Sequence, residues 1–231
     1  MTPSGFLESL KATRFEHVFN PYADTCETYD VVGAPHHRAN ALLKMLKAAN
    51  KTEVDALWIG RDLGYRGGRR TGLALTDDVH LSSHATRWDI RVERATTGTP
   101  VAERTAAVIW TMLSQVHLPV FLWNVFPFHP HLAHDPFSNR AHTSRERQAG
   151  EEFLAALVLM LRPKRLVAIG NDAARAAARC AGSTEVIHVR HPSYGGQNEF
   201  IEQIRALYHL SGRANQLTQL EQSVDRPKHP K

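Results

Sequence analysis

The sequence predicts an α/β protein with a three-layer α/β/α arrangement, in which a four-stranded, mostly parallel central sheet lies between helices. Four apolar runs rich in β-branched and aromatic residues have the length of buried strands. Amphipathic helical patterns lie between or beside these runs. Strands that alternate with helices imply right-handed crossovers, and therefore a parallel sheet that is covered on both faces.

The strands are predicted, in chain order, at residues 56–59, 120–125, 166–169 and 186–189. Apolar residues recur at helical spacing over residues 39–46, 106–116 and 200–208. A further helix is predicted to begin after Thr143, because Thr143 and Glu146 have capping-box spacing ahead of an apolar segment. We expect one domain over residues 1–210 and a polar C-terminal tail over residues 211–231.

The composition is that of a globular protein, since 42% of the 231 residues are apolar and 22% are charged. No apolar run approaches the roughly 18 residues that cross a bilayer, and residues 1–19 lack the apolar core of a signal peptide. We therefore expect a soluble, cytoplasmic monomer without a membrane partner. The net charge of +5 favours an anionic partner but does not identify it.

Ligands of parallel sheets bind beyond the carboxyl ends of the strands, so the segments that follow the predicted strands are the candidate site. The segment at residues 60–78 combines glycines, which let the backbone approach a phosphate, with arginines, which neutralise it. Asp62 is a carboxylate within this basic segment, with pairing to a neighbouring arginine as its alternative role. The glycine spacing fits neither a P-loop nor a GxGxxG nucleotide fingerprint.

Two other strands are also followed by polar groups. Asn124 closes an apolar strand, where a buried amide is costly unless its donor and acceptor are used; its alternative role is to hold the next loop together. His191 follows the last strand, where a structural role is the alternative to a catalytic one. Three histidines with HxHxxH spacing leave open a metal-dependent hydrolase, although that spacing is a weak signal: His129, His131 and His134.

Taken together and in order, these segments resemble the uracil-DNA glycosylase superfamily. The matching residues are Gly60-Arg61-Asp62-Leu63-Gly64, Thr71-Gly72-Leu73-Ala74-Leu75, Asn124 and His191-Pro192-Ser193. The resemblance implies a DNA repair enzyme that flips uracil out of DNA, single- or double-stranded, and hydrolyses its N-glycosidic bond to leave an abasic site. The family fold, a four-stranded parallel sheet between helices, agrees with the predicted elements.

The resemblance also implies roles for individual residues. Asp62 and His191 would be catalytic: Asp62 positions or activates water and stabilises the sugar cation, and His191 hydrogen-bonds uracil O2 as the base leaves. Asn124 would read uracil N3–H and O4. The other residues expected to contact the base are Gly60, Leu75, Tyr65 and Phe126. The residues expected to bind DNA are Arg61, Arg66, Arg69, Arg70, Ser193, Tyr194, Gly195, Gly196 and Gln197.

Three departures from the family pattern limit these expectations. Gly64 stands where the best-studied branch has a tyrosine that excludes thymine, so thymine rejection is unassigned. Leu75 stands where a phenylalanine often stacks on uracil, and Tyr65, Phe126 or Phe128 is the expected replacement. Gly195 stands where that branch inserts a leucine into the DNA, which makes Tyr194, Gln197 and Asn198 candidates for this role.

The expected enzyme is a monofunctional hydrolase without a cofactor or metal. Cys26 and Cys180 are too few for the iron–sulfur cluster of one family branch, and the three loops contain no lysine for a Schiff base. Two alternatives stay open: a catalytically idle protein that binds damaged or abasic DNA, and a glycosylase for another deaminated base.

Overall fold

The structure is a computed structural model, and it describes residues 1–210. The predicted tail, residues 211–231, lies outside the described residues, and the domain boundary at 210 stays a prediction. The six described strands are β1 (Val18–Phe19), β2 (Ala56–Asp62), β3 (Val120–Phe126), β4 (His129–Pro130), β5 (Arg165–Ile169) and β6 (Glu185–Val189). Four of them form a parallel sheet in the order β3-β2-β5-β6, while β1 and β4 pair antiparallel.

Helices cover both faces of this sheet. The helices are α1 (Pro3–Ala12), α2 (Ala34–Ala49), α3 (Gly68–Thr71), α4 (Leu81–Arg87), α5 (Arg104–Leu113), α6 (Ser144–Leu161), α7 (Asn171–Cys180) and α8 (Gln197–Leu207). Alternate residues of each strand point to opposite faces, so Leu57 and Ile59 of β2 join one core, and Ala56 and Trp58 join the other. The predicted α/β/α fold with four parallel strands is therefore confirmed.

Helix α6 begins where the sequence predicts. The Thr143 hydroxyl accepts from the Glu146 backbone N–H, and the Glu146 carboxylate accepts from the Thr143 N–H, which completes the capping box. Arg140 binds the same carboxylate, with Nη2 2.7 Å from Oε1. The segment just before α6 is therefore fixed on the sheet edge where β3 ends.

Gly150 allows α6 to lie directly on β3. A methyl group at this position would overlap the carbonyl oxygen of Val125 and lie 3.1 Å from the Phe126 Cα. Both neighbours are backbone atoms of a buried strand, which cannot move aside as a flexible side chain would. None of the described helices is long and apolar enough to span a membrane.

We predict that Gly150→Ala lowers the free energy of unfolding by about 1–3 kcal/mol, because the added methyl group separates α6 from β3. Urea unfolding of the purified protein measures the change. Gln148→Ala, at an exposed position of the same helix, should alter stability by no more than about 0.5 kcal/mol. Equal stability of the two variants would contradict the backbone contact.

Candidate active site

The carboxyl ends of the parallel strands meet at one edge of the sheet, where they frame a cleft of about 470 Å³. Asp62 is the last residue of β2, and His191 follows β6 by two residues. Both line this cleft. Other predicted site residues that line it are Arg61, Leu75, Ser193 and Tyr194. The sheet topology thus brings together residues that are about 130 positions apart in the chain.

Asn124 lies next to this edge, on the strand beside Asp62's. It is in register with Gly60 of β2, and it is only 1% exposed. Among residues 1–210, neither its amide oxygen nor its amide nitrogen has a hydrogen-bond partner. A buried amide without partners costs free energy, typically about 1–3 kcal/mol for each unsatisfied group, so this side chain is suited to a ligand.

Gly60 leaves the space in which the Asn124 amide lies. A Cβ at Gly60 would be 2.5 Å from Asn124 Oδ1 and 2.9 Å from Leu75 Cδ2. Leu75 therefore lies beside the amide, and it has φ of 54°, a left-handed conformation that is unusual for leucine. Gly60 is therefore needed at this position because any side chain there would overlap the Asn124 amide.

Asn124 does not line the open cleft that contains Asp62 and His191. Its amide instead borders an interior cavity of about 10 Å³, which is roughly the space of one water molecule. Leu63 borders both spaces, and Leu75 lines the cleft. We expected Asp62, Asn124 and His191 to surround one open pocket. In this structure Asp62 and His191 line the same cleft, and Asn124 does not.

Asp62 is held through both of its carboxylate oxygens. Arg61 Nε lies 2.6 Å from Oδ2, and the Nδ1 atom of His142 contacts Oδ1. The Asp62 side chain is only 6% exposed. The pairing with a neighbouring arginine, the alternative role for Asp62, is thus present together with its placement in the cleft.

His191 is oriented by Ser193. The Ser193 backbone N–H donates to Nδ1 of His191 at 3.2 Å, and the Ser193 hydroxyl is 2.7 Å from the same atom. Since a backbone N–H can only donate, Nδ1 is an acceptor, and the ring proton of neutral His191 is on Nε2. Burial, then the charges of Arg61 and Arg190, lower the pKa of His191, which favours this neutral form.

The segment after His191 places an aromatic ring in solvent. Tyr194 is 97% exposed, has φ of 51°, and lines the cleft. Gly195 beside it has open space around its Cα, whereas Gly196 is buried against the His191 carbonyl and donates its N–H to Ser193 O at 3.1 Å. A phosphate contact through the Gly196 N–H is therefore wrong for this conformation. Gln197 begins α8, and its DNA contact stays a prediction.

Two arginines that were expected to bind DNA are buried instead. Arg69 is 4% exposed and lies over the rings of Phe19 and Phe137, while its Nη1 donates to the Pro136 carbonyl at 2.8 Å. Arg70 is 7% exposed, and its Nε donates to Asp78 at 2.7 Å. Arg70 is bound by a residue of the same loop and Arg69 by residues outside it, so this conformation does not support the predicted contact of these two side chains with DNA phosphates.

The aromatic residues expected to stack on the base are also placed elsewhere. Phe126 and Phe128 are buried with their ring centroids 5.2 Å apart, and neither lines the cleft, so this conformation does not support their predicted contact with the base. Tyr65 is partly exposed, and its hydroxyl accepts from Arg66 Nε at 2.7 Å. Neither Tyr65 nor Arg66 is among the described residues that line the cleft. Arg66 is exposed, and its contact with DNA stays a prediction.

The sequence reasoning missed several residues at the cleft. Glu103 precedes α5 and lines the cleft, and burial followed by the charge of Asp77 raises the pKa of its carboxyl. Asp172 is the second residue of α7, in the segment after β5 that the sequence suggested was a plain turn, and its Oδ2 lies 3.8 Å from Arg61 Nη1. His142, from the segment before α6, does not line the cleft itself but contacts Asp62, which does. No local sequence motif marks these residues, and only the folded structure brings them close to Asp62 and His191.

The His129–His134 segment does not form the metal site that was left open. Nδ1 of His129 lies 3.2 Å from Arg69 Nη1, and its Nε2 lies 2.9 Å from the Ser138 carbonyl, so both ring nitrogens are bound by protein groups. Within residues 1–210, no three metal-ligating side chains are arranged to hold a metal ion. A metal-dependent hydrolase based on these histidines therefore lacks a ligand set in the described part of the chain.

A parallel sheet between helices, with a carboxylate, a buried amide and an imidazole at its carboxyl edge, defines an α/β protein whose site is suited to a polar heterocycle. The model of the uracil DNA glycosylase superfamily matches residues 36–219. The chain therefore belongs to this superfamily. Membership indicates a DNA glycosylase, a hydrolase with DNA as its substrate. Among curated proteins, no match is found.

A solved structure has the same fold over nearly its whole length. The crystal structure of wild-type SMUG2 from Pedobacter heparinus is similar with a TM-score of 0.58 and 14% sequence identity. The match covers 90% of this chain and 97% of that chain. At this identity the similarity shows the fold, and it leaves the substrate to be argued from the site.

We predict that the protein loses stability as the pH falls below about 6.5, because burial lowers the pKa of both His129 and His84 to about 3. The unfolded chain binds these protons near pH 6.5, whereas the folded chain does not. Each histidine therefore removes about 1.4 kcal/mol per pH unit between these values. Urea unfolding at about pH 7.5, 6 and 5 measures this slope.

The variant His129→Gln keeps a side-chain N–H for the Ser138 carbonyl but has no titrating group. Its stability should depend less steeply on pH than that of the wild type. The exposed His134→Gln is the matched control and should keep the wild-type slope. An unchanged slope in His129→Gln would contradict the burial argument.

Proposed function

We propose that the protein is a monofunctional uracil-DNA glycosylase, which hydrolyses the N-glycosidic bond of uracil in DNA without a cofactor. The observation that carries the proposal is the buried amide of Asn124 beside Gly60, which has no hydrogen-bond partner among residues 1–210. We also propose that the protein acts as a monomer in the cytoplasm, on single- or double-stranded DNA. Release of base distinguishes it from a protein that only binds damaged DNA.

The Asn124 amide has the hydrogen-bonding pattern that uracil requires. Its oxygen accepts a hydrogen bond from N3–H, and its nitrogen donates one to O4, whereas cytosine presents the opposite pair. A bidentate contact of this kind discriminates between bases by about 1–3 kcal/mol. Because Asn124 is closed off from the cleft, the flipped base reaches it when the side chain of Leu75, which lies beside the amide and lines the cleft, moves aside.

The chemistry follows from the two groups that line the cleft. The oxygen of a water molecule forms a bond to C1′ of the deoxyribose, and the C1′–N1 bond breaks with its electron pair leaving on the base. Asp62 stabilises the positive charge on the sugar and receives the proton from water. His191 donates Nε2–H to uracil O2, where negative charge develops, and its lowered pKa keeps it neutral for this role.

Flipping a base requires that the protein replace it in the helix and hold the flanking phosphates. Tyr194 is suited to the first task, since its ring is exposed at the rim of the cleft. Arg61 and Arg190 are suited to the second, since both line the cleft and are exposed. The charges of the buried Arg69 and Arg70 instead stabilise the loop that presents Asp62.

We predict that Asp62→Asn lowers the single-turnover rate of uracil excision by roughly 100- to 1,000-fold, because the charge that stabilises the sugar cation is removed. Alkaline cleavage of abasic sites in a uracil-containing oligonucleotide measures the rate. Affinity for DNA should be preserved, since the change removes a negative charge. Asp89→Asn, at an exposed aspartate just beyond α4, should leave the rate unchanged, whereas near-normal excision by Asp62→Asn would remove Asp62 from the mechanism.

We predict that Asn124→Asp shifts the preference from uracil toward cytosine, because a carboxylate accepts from the cytosine N4 amino group. Excision from otherwise identical uracil and cytosine oligonucleotides measures the ratio of the two rates. Asn40→Asp adds the same charge on α2, away from the cleft, and should not alter this ratio. A folded Asn124→Asp protein with no gain on cytosine would count against base reading by Asn124.

A further inference from the structure

His142 is a second buried group at the proposed catalytic carboxylate. Its Nδ1 contacts Oδ1 of Asp62, and the two side chains are 8% and 6% exposed. The residues are 80 positions apart in the chain. Arg61, the other partner of Asp62, is 43% exposed, so solvent weakens its hold on the carboxylate. His142 is thus the shielded partner of Asp62.

Three features of the fold place His142 at this point. Asp62 and Phe126 are neighbours in register on β2 and β3, and the His142 ring packs against Phe126 with their centroids 6.1 Å apart. The residue after His142 is Thr143, whose capping box fixes the start of α6. The buried Phe126 ring therefore supports the imidazole, and the helix cap sets the backbone from which it projects.

The two oxygens of the Asp62 carboxylate have different partners. His142 occupies Oδ1 and Arg61 occupies Oδ2, so rotation of the carboxylate would break both interactions. An ionised carboxylate accepts hydrogen bonds at both oxygens. A carboxylate held in this way faces the cleft in one orientation, which is the condition for placing water against C1′.

We propose that His142 is a positioning residue for uracil excision, which orients the Asp62 carboxylate by donating Nδ1–H to Oδ1. This inference rests on the proposed function, since it assigns His142 a role through Asp62. His142 itself touches neither base nor sugar in this mechanism. Its loss should slow the bond-breaking step without weakening the binding of DNA.

The test compares His142→Ala, His142→Asn and His142→Gln. The asparagine amide places an N–H close to the position of Nδ1, whereas the longer glutamine amide places it near Nε2. Alanine and glutamine should lower the single-turnover rate on a uracil oligonucleotide by roughly 10- to 100-fold, as expected for a misplaced reacting group. Asparagine should recover most of this loss, and affinity for a duplex with an abasic site should stay at the wild-type value in all three.

His134→Ala, at an exposed position of the preceding loop, is the control and should excise uracil at the wild-type rate. Should His142→Ala fail to fold, the comparison of the asparagine and glutamine variants still decides the question. A folded asparagine variant as slow as the glutamine variant would overturn the inference. So would a fully active His142→Ala.

A second measurement separates this inference from the function on which it rests. In the Asp62→Asn background, His142→Ala should cause no further loss, because a positioning residue acts through the group that it positions. Additive losses would show that His142 acts independently of Asp62. If the wild-type protein releases no uracil, the proposed function fails. If Asp62→Asn alone excises uracil normally, the function stands, but Asp62 leaves the mechanism and the inference about His142 fails with it. If Asp62→Asn is inactive and His142→Ala is normal, the inference about His142 alone fails.

Discussion

The close approach of Gly60 to Asn124 is the constraint on which the site depends. The two residues are paired in register on adjacent parallel strands, and the side-chain amide of Asn124 fills the space beside the glycine Cα. Any larger residue at position 60 would displace the amide or Leu75. The strand pairing that stabilises the sheet therefore also fixes an amide donor and acceptor at its carboxyl edge. Neither has a partner among residues 1–210, which suits both to a ligand.

The fold could be predicted from the sequence because its signals are local. Each buried strand is a short apolar run, and the start of α6 is given by Thr143 and Glu146, which are three residues apart. The placement of Asp62 and His191 at one cleft followed from a general property of parallel sheets, namely that their carboxyl ends share an edge. Asn124 lies near the same edge, as predicted, but it is buried beside Leu75 and does not line the cleft. This burial depends on side-chain packing, which the pattern of apolar residues in the sequence does not predict.

The arginines of the first loop show why composition alone misled. Arg69 and Arg70 look like phosphate ligands in a glycine-rich segment, but both guanidinium groups are bound by other protein groups. Phe19 lies under the Arg69 guanidinium and comes from β1, while Asp78 binds Arg70 from the far end of the loop. Buried charges need such partners, so these arginines stabilise the loop rather than the complex with DNA.

The charged side chains at the cleft differ in exposure and in the groups that they contact. Arg61 contacts both Asp62, at the end of β2, and Asp172, in the first turn of α7 after β5, so it connects the segments at the carboxyl ends of two neighbouring strands. A phosphate that binds the exposed Arg61 would compete with these carboxylates for its guanidinium. The shielded contact with His142 would then be the one that keeps Asp62 in place once DNA is bound. In the proposed mechanism the exposed Arg61 can therefore bind a DNA phosphate, while His142 keeps the Asp62 carboxylate in position. This is a physical reason for one aspartate to have two different partners.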